Sequence, residues 1–275
     1  MTAFVRNRVV HGIAAATTML FATMVRAEDL TLYAAGSLKE AMTEIANTFR
    51  AGSGASVKTE FGPSGLLRER IEQGEKADVF ASADMGHPLK LRSDGRATHV
   101  AMFTRNALCV VVKSAVGLTT ENFLAKLLDP AVKVGTSTPK ADPAGDYTWA
   151  MFRAAEAMKP GSYAILDAKA RQIVGGAAAN PDGGSTDPTV AALADGTVDL
   201  VVGYCTSTRL RLRQMPGLEV VQVPAALRVG PEYGLAVLKG AAPQADDLAF
   251  FILSPEGQQI LANYGFNPVG LPEGR

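Results

Sequence analysis

A strand that runs into a helix is encoded by residues 30–40, LTLYAAGSLKE. The apolar segment 30–35 predicts a buried strand. Ser37 and Glu40 then have the spacing of a capping box, which marks the start of a helix. A strand joined to a helix by so short a turn indicates a βαβ unit with parallel strands. An apolar stripe at helical spacing continues the helix, with Leu38, Met42, Ile45 and Phe49.

The same alternation of strand and helix continues along the chain and predicts mainly parallel sheets in two α/β lobes. We assign residues 28–108 plus 230–275 to lobe 1, which is discontinuous, and residues 109–229 to lobe 2. The Gly- and Asp-rich segment 175–187 is predicted to be a long loop. Further strands are predicted at 57–61, 77–81, 107–113, 132–135, 198–204, 220–223 and 233–238, and further helices at 64–73, 147–158, from 188, 246–253 and 255–264.

Residues 1–27 have the pattern of a secretory signal peptide. Two arginines in the first eight residues precede an uncharged and mostly apolar stretch over 9–25, and Val25 and Ala27 stand at the positions that a signal peptidase reads. We therefore expect export to the periplasm and cleavage after Ala27. Cleavage after Ala22 and an uncleaved membrane anchor are the alternatives.

The charges of the chain are balanced, with 27 Lys and Arg against 27 Asp and Glu among 275 residues. No block of like charges occurs, so the sequence lacks the basic patch that a nucleic-acid surface requires. The two cysteines, Cys109 and Cys205, have no clustered histidines beside them and do not form a usual zinc site. Export permits a disulfide between them, and two buried thiols are the alternative.

No familiar enzymatic motif is present: the sequence has no phosphate-binding P-loop, no dinucleotide fingerprint and no zinc-protease motif. The segment 62–65, GPSG, is not a nucleophile elbow, because Leu66 stands where that motif needs glycine. We expect a protein that is not an enzyme and holds no cofactor. An exported serine hydrolase that uses Ser64 is the alternative.

Four turns lead into helices through small or hydroxyl-bearing residues. Small residues let a ligand approach the backbone, and a helix N-terminus offers unpaired N–H groups and a partial positive charge. Several such turns facing one another would bind an anion without lysine or arginine. The simpler interpretation is that each serine only caps its own helix. The turns are residues 34–37, 62–65, 142–145 and 183–186.

Five sequence segments carry a family resemblance. They are 32–38, LYAAGSL; 61–67, FGPSGLL, followed by Gln73; 77–84, ADVFASAD; 143–145, PAG, followed by Tyr147; and the strand that ends at Tyr204. Together they resemble the periplasmic molybdate-binding proteins of ABC importers. The resemblance extends over about residues 30–268, and the segment 254–266 is typical of solute-binding proteins in general.

This resemblance implies a two-lobed type II periplasmic binding fold with the ligand cleft between the lobes. The ligand would be a tetrahedral oxyanion, molybdate or tungstate, held by neutral hydrogen bonds alone. The resemblance implies hydroxyl and N–H donors at Ser37 and Ser64, backbone N–H donors at Ala144 and near Thr186, and the phenol of Tyr204. It further implies a monomer whose partner is an inner-membrane ABC permease.

Three departures from the family pattern leave other ligands open. Pro63 lacks an N–H, Cys205 follows the tyrosine where glycine is usual, and the 175–187 loop carries Asp182 and Asp187. We expect Asp187 to cap its helix and face away from the cleft. The alternatives are another anion or a small carboxylate in the same fold, and a sensory rather than a transport role.

Overall fold

The computed structural model describes residue 1 and residues 29–175 and 187–270. Residues 2–27 of the predicted signal peptide at 1–27 lie outside the described residues, and so do Asp182 and Thr186. Among the described helices, none is long and apolar enough to cross a membrane.

Eleven strands and ten α-helices alternate along the described chain. The strands are β1 (Leu30–Ala35), β2 (Val57–Gly62), β3 (Val79–Ser82), β4 (Ala97–Arg105), β5 (Leu108–Lys113), β6 (Val134–Ser137), β7 (Arg171–Val174), β8 (Leu200–Tyr204), β9 (Leu218–Gln222), β10 (Glu232–Leu238) and β11 (Asn267–Pro268). The helices are α1 (Lys39–Ser53), α2 (Ser64–Glu72), α3 (Gly86–Ser93), α4 (Phe123–Leu128), α5 (Pro143–Met158), α6 (Ser162–Lys169), α7 (Pro188–Ala194), α8 (Cys205–Gln214), α9 (Gln244–Leu253) and α10 (Pro255–Asn263).

The strands form two separate sheets. One has six strands in the order β11-β4-β10-β3-β1-β2, and the other has five in the order β7-β6-β8-β5-β9. The chain passes from the first sheet to the second between β4 and β5, and it returns between β9 and β10. The Asn106 N–H donates to the Pro231 carbonyl at 3.0 Å, which holds these two crossings side by side.

Both sheets are mixed, so the prediction of mainly parallel sheets is only half right. In the first sheet β2, β1 and β3 are parallel, whereas β10 is antiparallel to both β3 and β4. In the second sheet β7, β6 and β8 are parallel, whereas β5 is antiparallel to β8 and β9. The antiparallel strands β4, β5, β9 and β10 are those next to the crossings, where the chain changes sheets without an intervening crossover helix.

Apolar strands form the core, as the continuous run of β5 illustrates: Leu108 to Val112 are all at most 1% exposed. Such a run is typical of a strand covered on both faces. Cys109 on β5 forms a disulfide with Cys205, the first residue of α8, and their Cα atoms are 4.8 Å apart. Of the two alternatives that the sequence leaves open, the structure has the bridge.

Candidate functional site

A cavity of about 430 Å³ lies where the parallel strands of both sheets end. The first sheet contributes the residues that follow β1 and β2, and the second contributes the ends of β6, β7 and β8. The carboxyl ends of strands are where open α/β sheets bind ligands. The lining of the cavity includes Ser37, Pro63, Asp142, Ala144, Asp187, Tyr204 and Arg211.

Ser37 lines the cavity but does not cap α1, so the capping-box prediction is wrong. The segment Gly36–Leu38 forms a 3₁₀ turn, which moves the start of α1 to Lys39 and makes Leu38 the capping residue, one position after Ser37. The Ser37 hydroxyl lies instead 2.9 Å from the Tyr233 hydroxyl. The side chain is therefore held at the cavity wall by a tertiary contact.

Ser64 is the first residue of α2 and is 1% exposed. Its hydroxyl oxygen accepts a hydrogen bond of 3.0 Å from the Ala83 N–H. In the described part of the chain, the turn before α2 contributes Gly62 and Pro63 to the cavity lining, but not Ser64. A hydroxyl that is buried and bonded to an amide is not placed as the nucleophile of a hydrolase.

Ala144 lies in the first turn of α5 and lines the cavity. Its N–H donates to Asp142 Oδ1 at 3.1 Å, so that Asp142 caps the helix. The turn before it is fixed from two sides. Lys140 adopts a left-handed φ of 68° and donates its N–H to Asp146 at 3.1 Å, and the Gly65 N–H of the first sheet's α2 donates to the Ala141 carbonyl at 2.9 Å.

Tyr204 ends β8, and its hydroxyl donates to the Ala83 carbonyl at 3.3 Å. The contact joins the two sheets, because Ala83 follows β3. Burial raises the pKa of Tyr204 well above its ordinary value, which keeps the phenol protonated and able to donate. The Tyr204 ring meets the Tyr233 ring edge-on, with centroids 5.5 Å apart.

Tyr233 and Asn106 contact the lining residues Ser37 and Thr206, and neither was expected from the sequence. Asn106 Nδ2 donates to the Tyr233 hydroxyl at 2.8 Å and to Thr206 Oγ1 at 2.8 Å. Tyr233 is 196 residues from Ser37 in sequence and 127 from Asn106. No local pattern could have connected them, since Ser37 follows β1, Asn106 lies between β4 and β5, and Tyr233 lies on β10.

Asp187 caps α7, as predicted, and accepts a hydrogen bond from the Thr189 N–H at 2.7 Å. The expectation that it faces away from the cleft is wrong, because Asp187 lines the cavity. Its second oxygen lies 2.9 Å from Arg211 Nε in an ion pair. Burial by itself raises the pKa of Asp187, but the Arg211 charge outweighs that effect, and the pKa is lowered.

Residues 30–267 match the family model described as bacterial extracellular solute-binding protein. An uncharacterised protein of Pasteurella multocida is 37% identical over 243 residues, which cover 86% of this chain and 98% of that protein. A molybdate-binding protein of Rhodobacter capsulatus is 28% identical over 269 residues, which cover 97% of this chain and 99% of that protein. The resemblance deduced from the sequence is confirmed.

Solved structures share the fold. The periplasmic molybdate-binding protein of Azotobacter vinelandii has a TM-score of 0.66 at 19% identity, and the match covers 89% of this chain and 100% of that one. The sulfate-binding protein of Mycobacterium tuberculosis has a TM-score of 0.73 at 18% identity, with 88% and 87% covered. These likenesses confirm the predicted two-lobed α/β fold of periplasmic binding proteins.

Proposed function

This chain belongs to the family of bacterial extracellular solute-binding proteins, and on that premise we propose that it delivers a tetrahedral oxyanion to an ABC permease. Molybdate is the first candidate ligand and tungstate the second. The observation that carries the proposal is the convergence of Ser37, Ala144 and Tyr204 on one cavity between the two sheets. The protein acts as a periplasmic monomer, and its partner is the inner-membrane permease.

The donors are neutral. A helix N-terminus supplies the Ala144 N–H and a partial positive charge, and the protonated Tyr204 supplies a hydroxyl. Asn106 can only donate through its Nδ2, so Tyr233 is free to donate its own proton to Ser37. The Ser37 proton is then left for a ligand oxygen.

Neutral donors in fixed number also give selectivity. A cavity shaped for a large tetrahedral anion leaves donors unpaired around a smaller one, and each buried unpaired donor costs about 1–3 kcal/mol. Closure of the two lobes around the ligand is the change that the permease reads. The named molybdate-binding relative supports molybdate as the ligand to test first.

A second ligand class, another anion or a small carboxylate, is favoured by one observation. The Asp142 carboxylate already occupies the Ala144 N–H and lines the cavity. A fully ionised dianion would meet this negative charge, whereas a ligand with its own hydroxyl would find an acceptor. The Arg211 charge offsets this negative charge only in part, since its guanidinium forms its ion pair with Asp187.

Calorimetric titration of the ligand-stripped protein with molybdate, tungstate, sulfate and phosphate tests the proposal. We expect tight one-to-one binding of at least one of these anions. Ser37→Ala should weaken that binding by about 1–3 kcal/mol, because a ligand oxygen loses a donor. Ser93→Ala, at the exposed end of α3, is the matched control. Unchanged affinity in Ser37→Ala, with the fold intact, would contradict the site.

A further inference from the structure

Asp142 places a carboxylate inside a cavity to which we assign an anionic ligand. It is half-buried, it lines the cavity, and its Oδ1 accepts the Ala144 N–H at 3.1 Å. That N–H is one of the donors assigned above to the ligand. An incoming oxyanion must therefore approach within contact distance of the Asp142 carboxylate or displace it.

Four elements place titratable or charged groups near Asp142. They are Asp146 on its own helix, Arg211 on α8, Tyr204 at the end of β8, and Tyr233 on β10. Burial raises the pKa of Asp142 against the opposing effects of the Ala144 N–H, the Ser137 side chain and the Arg211 charge. Within residues 29–175 and 187–270, no basic side chain lies within 4 Å of its carboxylate.

The cations around the cavity are engaged elsewhere or stand further off. Arg211 is paired with Asp187 at 2.9 Å, and Arg213 is paired with Glu40 at 2.5 Å. Lys39 lines the cavity but is exposed at the start of α1. Asp142 is thus the carboxylate of the cavity whose negative charge lacks a close partner in the described chain.

We propose that a bound oxyanion and Asp142 share one proton, an inference that rests on the proposed function. When a fully ionised anion such as molybdate binds, Asp142 takes up a proton from solvent, and the resulting carboxylic acid donates a hydrogen bond to a ligand oxygen. When hydrogenphosphate binds, the ligand's own proton forms this bond and no uptake is needed. Asp142 is then the residue that sets which protonation state of an oxyanion the site accepts.

The proposal makes affinity depend on pH in a defined direction. Where Asp142 is ionised in the free protein, the affinity for molybdate or sulfate should fall about tenfold for each unit of rising pH, since each ion binds with one proton. Between pH 6.5 and 8.5 both anions stay ionised, so the change would come from the protein. Phosphate changes its own protonation state in this range, so its affinity is calculated from the concentration of hydrogenphosphate, and that affinity should lack this fall.

Proton uptake is measurable by titrating molybdate calorimetrically at pH 8 in two buffers with different ionisation enthalpies. We expect about one proton taken up per ion bound in the unmodified protein. Asp142→Asn should show none, and its affinity should not change between pH 6.5 and 8.5. Asparagine caps a helix as well as aspartate does, and its amide can donate to the ligand. Ser254→Ala alters the cap of α10, whose serine is not among the described residues of the cavity lining, and as the control it should retain the uptake.

The outcomes separate the two proposals. Binding of molybdate without proton uptake, or uptake that persists in Asp142→Asn, would overturn this inference and leave the oxyanion site standing. If Asp142→Asn does not fold, the pH series of the unmodified protein decides, through the contrast between molybdate and phosphate. Binding of none of the four anions by the unmodified protein would overturn the proposed function and the inference with it.

Discussion

Two helix N-termini at the cavity share one local motif. Asp142 caps α5 and Asp187 caps α7, each is followed by proline at the first helical position, and each accepts the N–H two residues on. Their electrostatics are nevertheless opposite. The pKa of Asp142 is raised, and the pKa of Asp187 is lowered.

The difference is set by a tertiary partner and not by the motif. Burial raises the pKa of both carboxyl groups, but only Asp187 has a guanidinium, that of Arg211, at 2.9 Å. Aspartate and proline therefore determine where each helix begins, while a residue of α8 determines whether the cap carries a compensated charge. Two turns that look alike in sequence can thus have different roles toward an anion.

Removing the partner should erase the difference, and this is the largest effect that we expect. Arg211→Met leaves Asp187 with an uncompensated charge in a site where its side chain is 18% exposed. We expect a loss of about 3 kcal/mol in the free energy of unfolding and a rise in the pKa of Asp187. Urea denaturation measures the first, and NMR titration of the carboxyl carbons measures the second.

The double variant Arg211→Met with Asp187→Asn is the control. It removes both charges, so it should recover most of the lost stability. If the single variant is as stable as the unmodified protein, the ion pair does not stabilise the α7 cap.

Gly65→Ala should disturb the α5 turn and spare the α7 turn. A Cβ on Gly65 would lie 2.7 Å from the Ala141 carbonyl oxygen and closer still to that of Lys140, so the backbone before Asp142 must move. We expect a loss of about 2–3 kcal/mol in stability and a weakened Gly65–Ala141 hydrogen bond between the sheets. Hydrogen exchange of the Gly65 amide measures the second effect.

Gly52→Ala is the matched control, since Gly52 is also helical and a Cβ there meets no neighbour. It should be neutral or stabilising by up to about 1 kcal/mol. Equal stability of the two alanine variants would mean that the close approach of α2 to the α5 turn does not contribute to the stability of the protein.

Elements with a buried face could be predicted from the sequence, and elements without one could not. The strand predicted at 107–113 is found at Leu108–Lys113, because its whole run is apolar and buried. Helix α8 was missed: none of its residues is fully buried, so CTSTRLRLRQ has no apolar stripe. The disulfide at Cys205 and the ion pair of Arg211 hold it instead.

The candidate site divides in the same way. Ser37 and Ala144 lie in turns between a strand and a helix, and Tyr204 ends a strand. Sequence motifs identify these three positions, and the structure places all three at the cavity. Tyr233 could not be found by this route, since it contacts Ser37 across 196 residues of sequence. From the sequence, Asp142 could be recognised only as part of the turn 142–145. Whether a cation pairs with its carboxylate is decided by tertiary structure.

A pH series separates the two caps by the sign of their effect. The lowered pKa of Asp187 contributes stability that is present above its unfolded value, about 3.9, and is lost as pH falls through the folded value. The raised pKa of Asp142 does the reverse, so its contribution declines as pH rises from 3.9 through the folded value.

At pH 7, Asp187→Asn should therefore cost about 2 kcal/mol, the worth of a hydrogen bond to a charged group, whereas Asp142→Asn should not destabilise the protein. Urea denaturation of both variants at pH 3, 5 and 7 measures the difference. Parallel pH profiles for the two variants would contradict the comparison.

The smallest expected effect measures how much an uncharged helix cap contributes to stability. Helix α10 begins with the same arrangement in neutral form: Ser254 accepts the Gly257 N–H at 3.2 Å, and proline follows at the first helical position. Ser254→Ala should cost about 1 kcal/mol, equally at pH 5, 7 and 9, because no charge is involved. Anion affinity should not change, since Ser254 is not among the described residues of the cavity lining. Subtracting this value from the cost of Asp187→Ala leaves the part that belongs to Arg211. A pH-dependent loss in Ser254→Ala would mean that the cap, and not the tertiary partner, produces the contrast between Asp142 and Asp187.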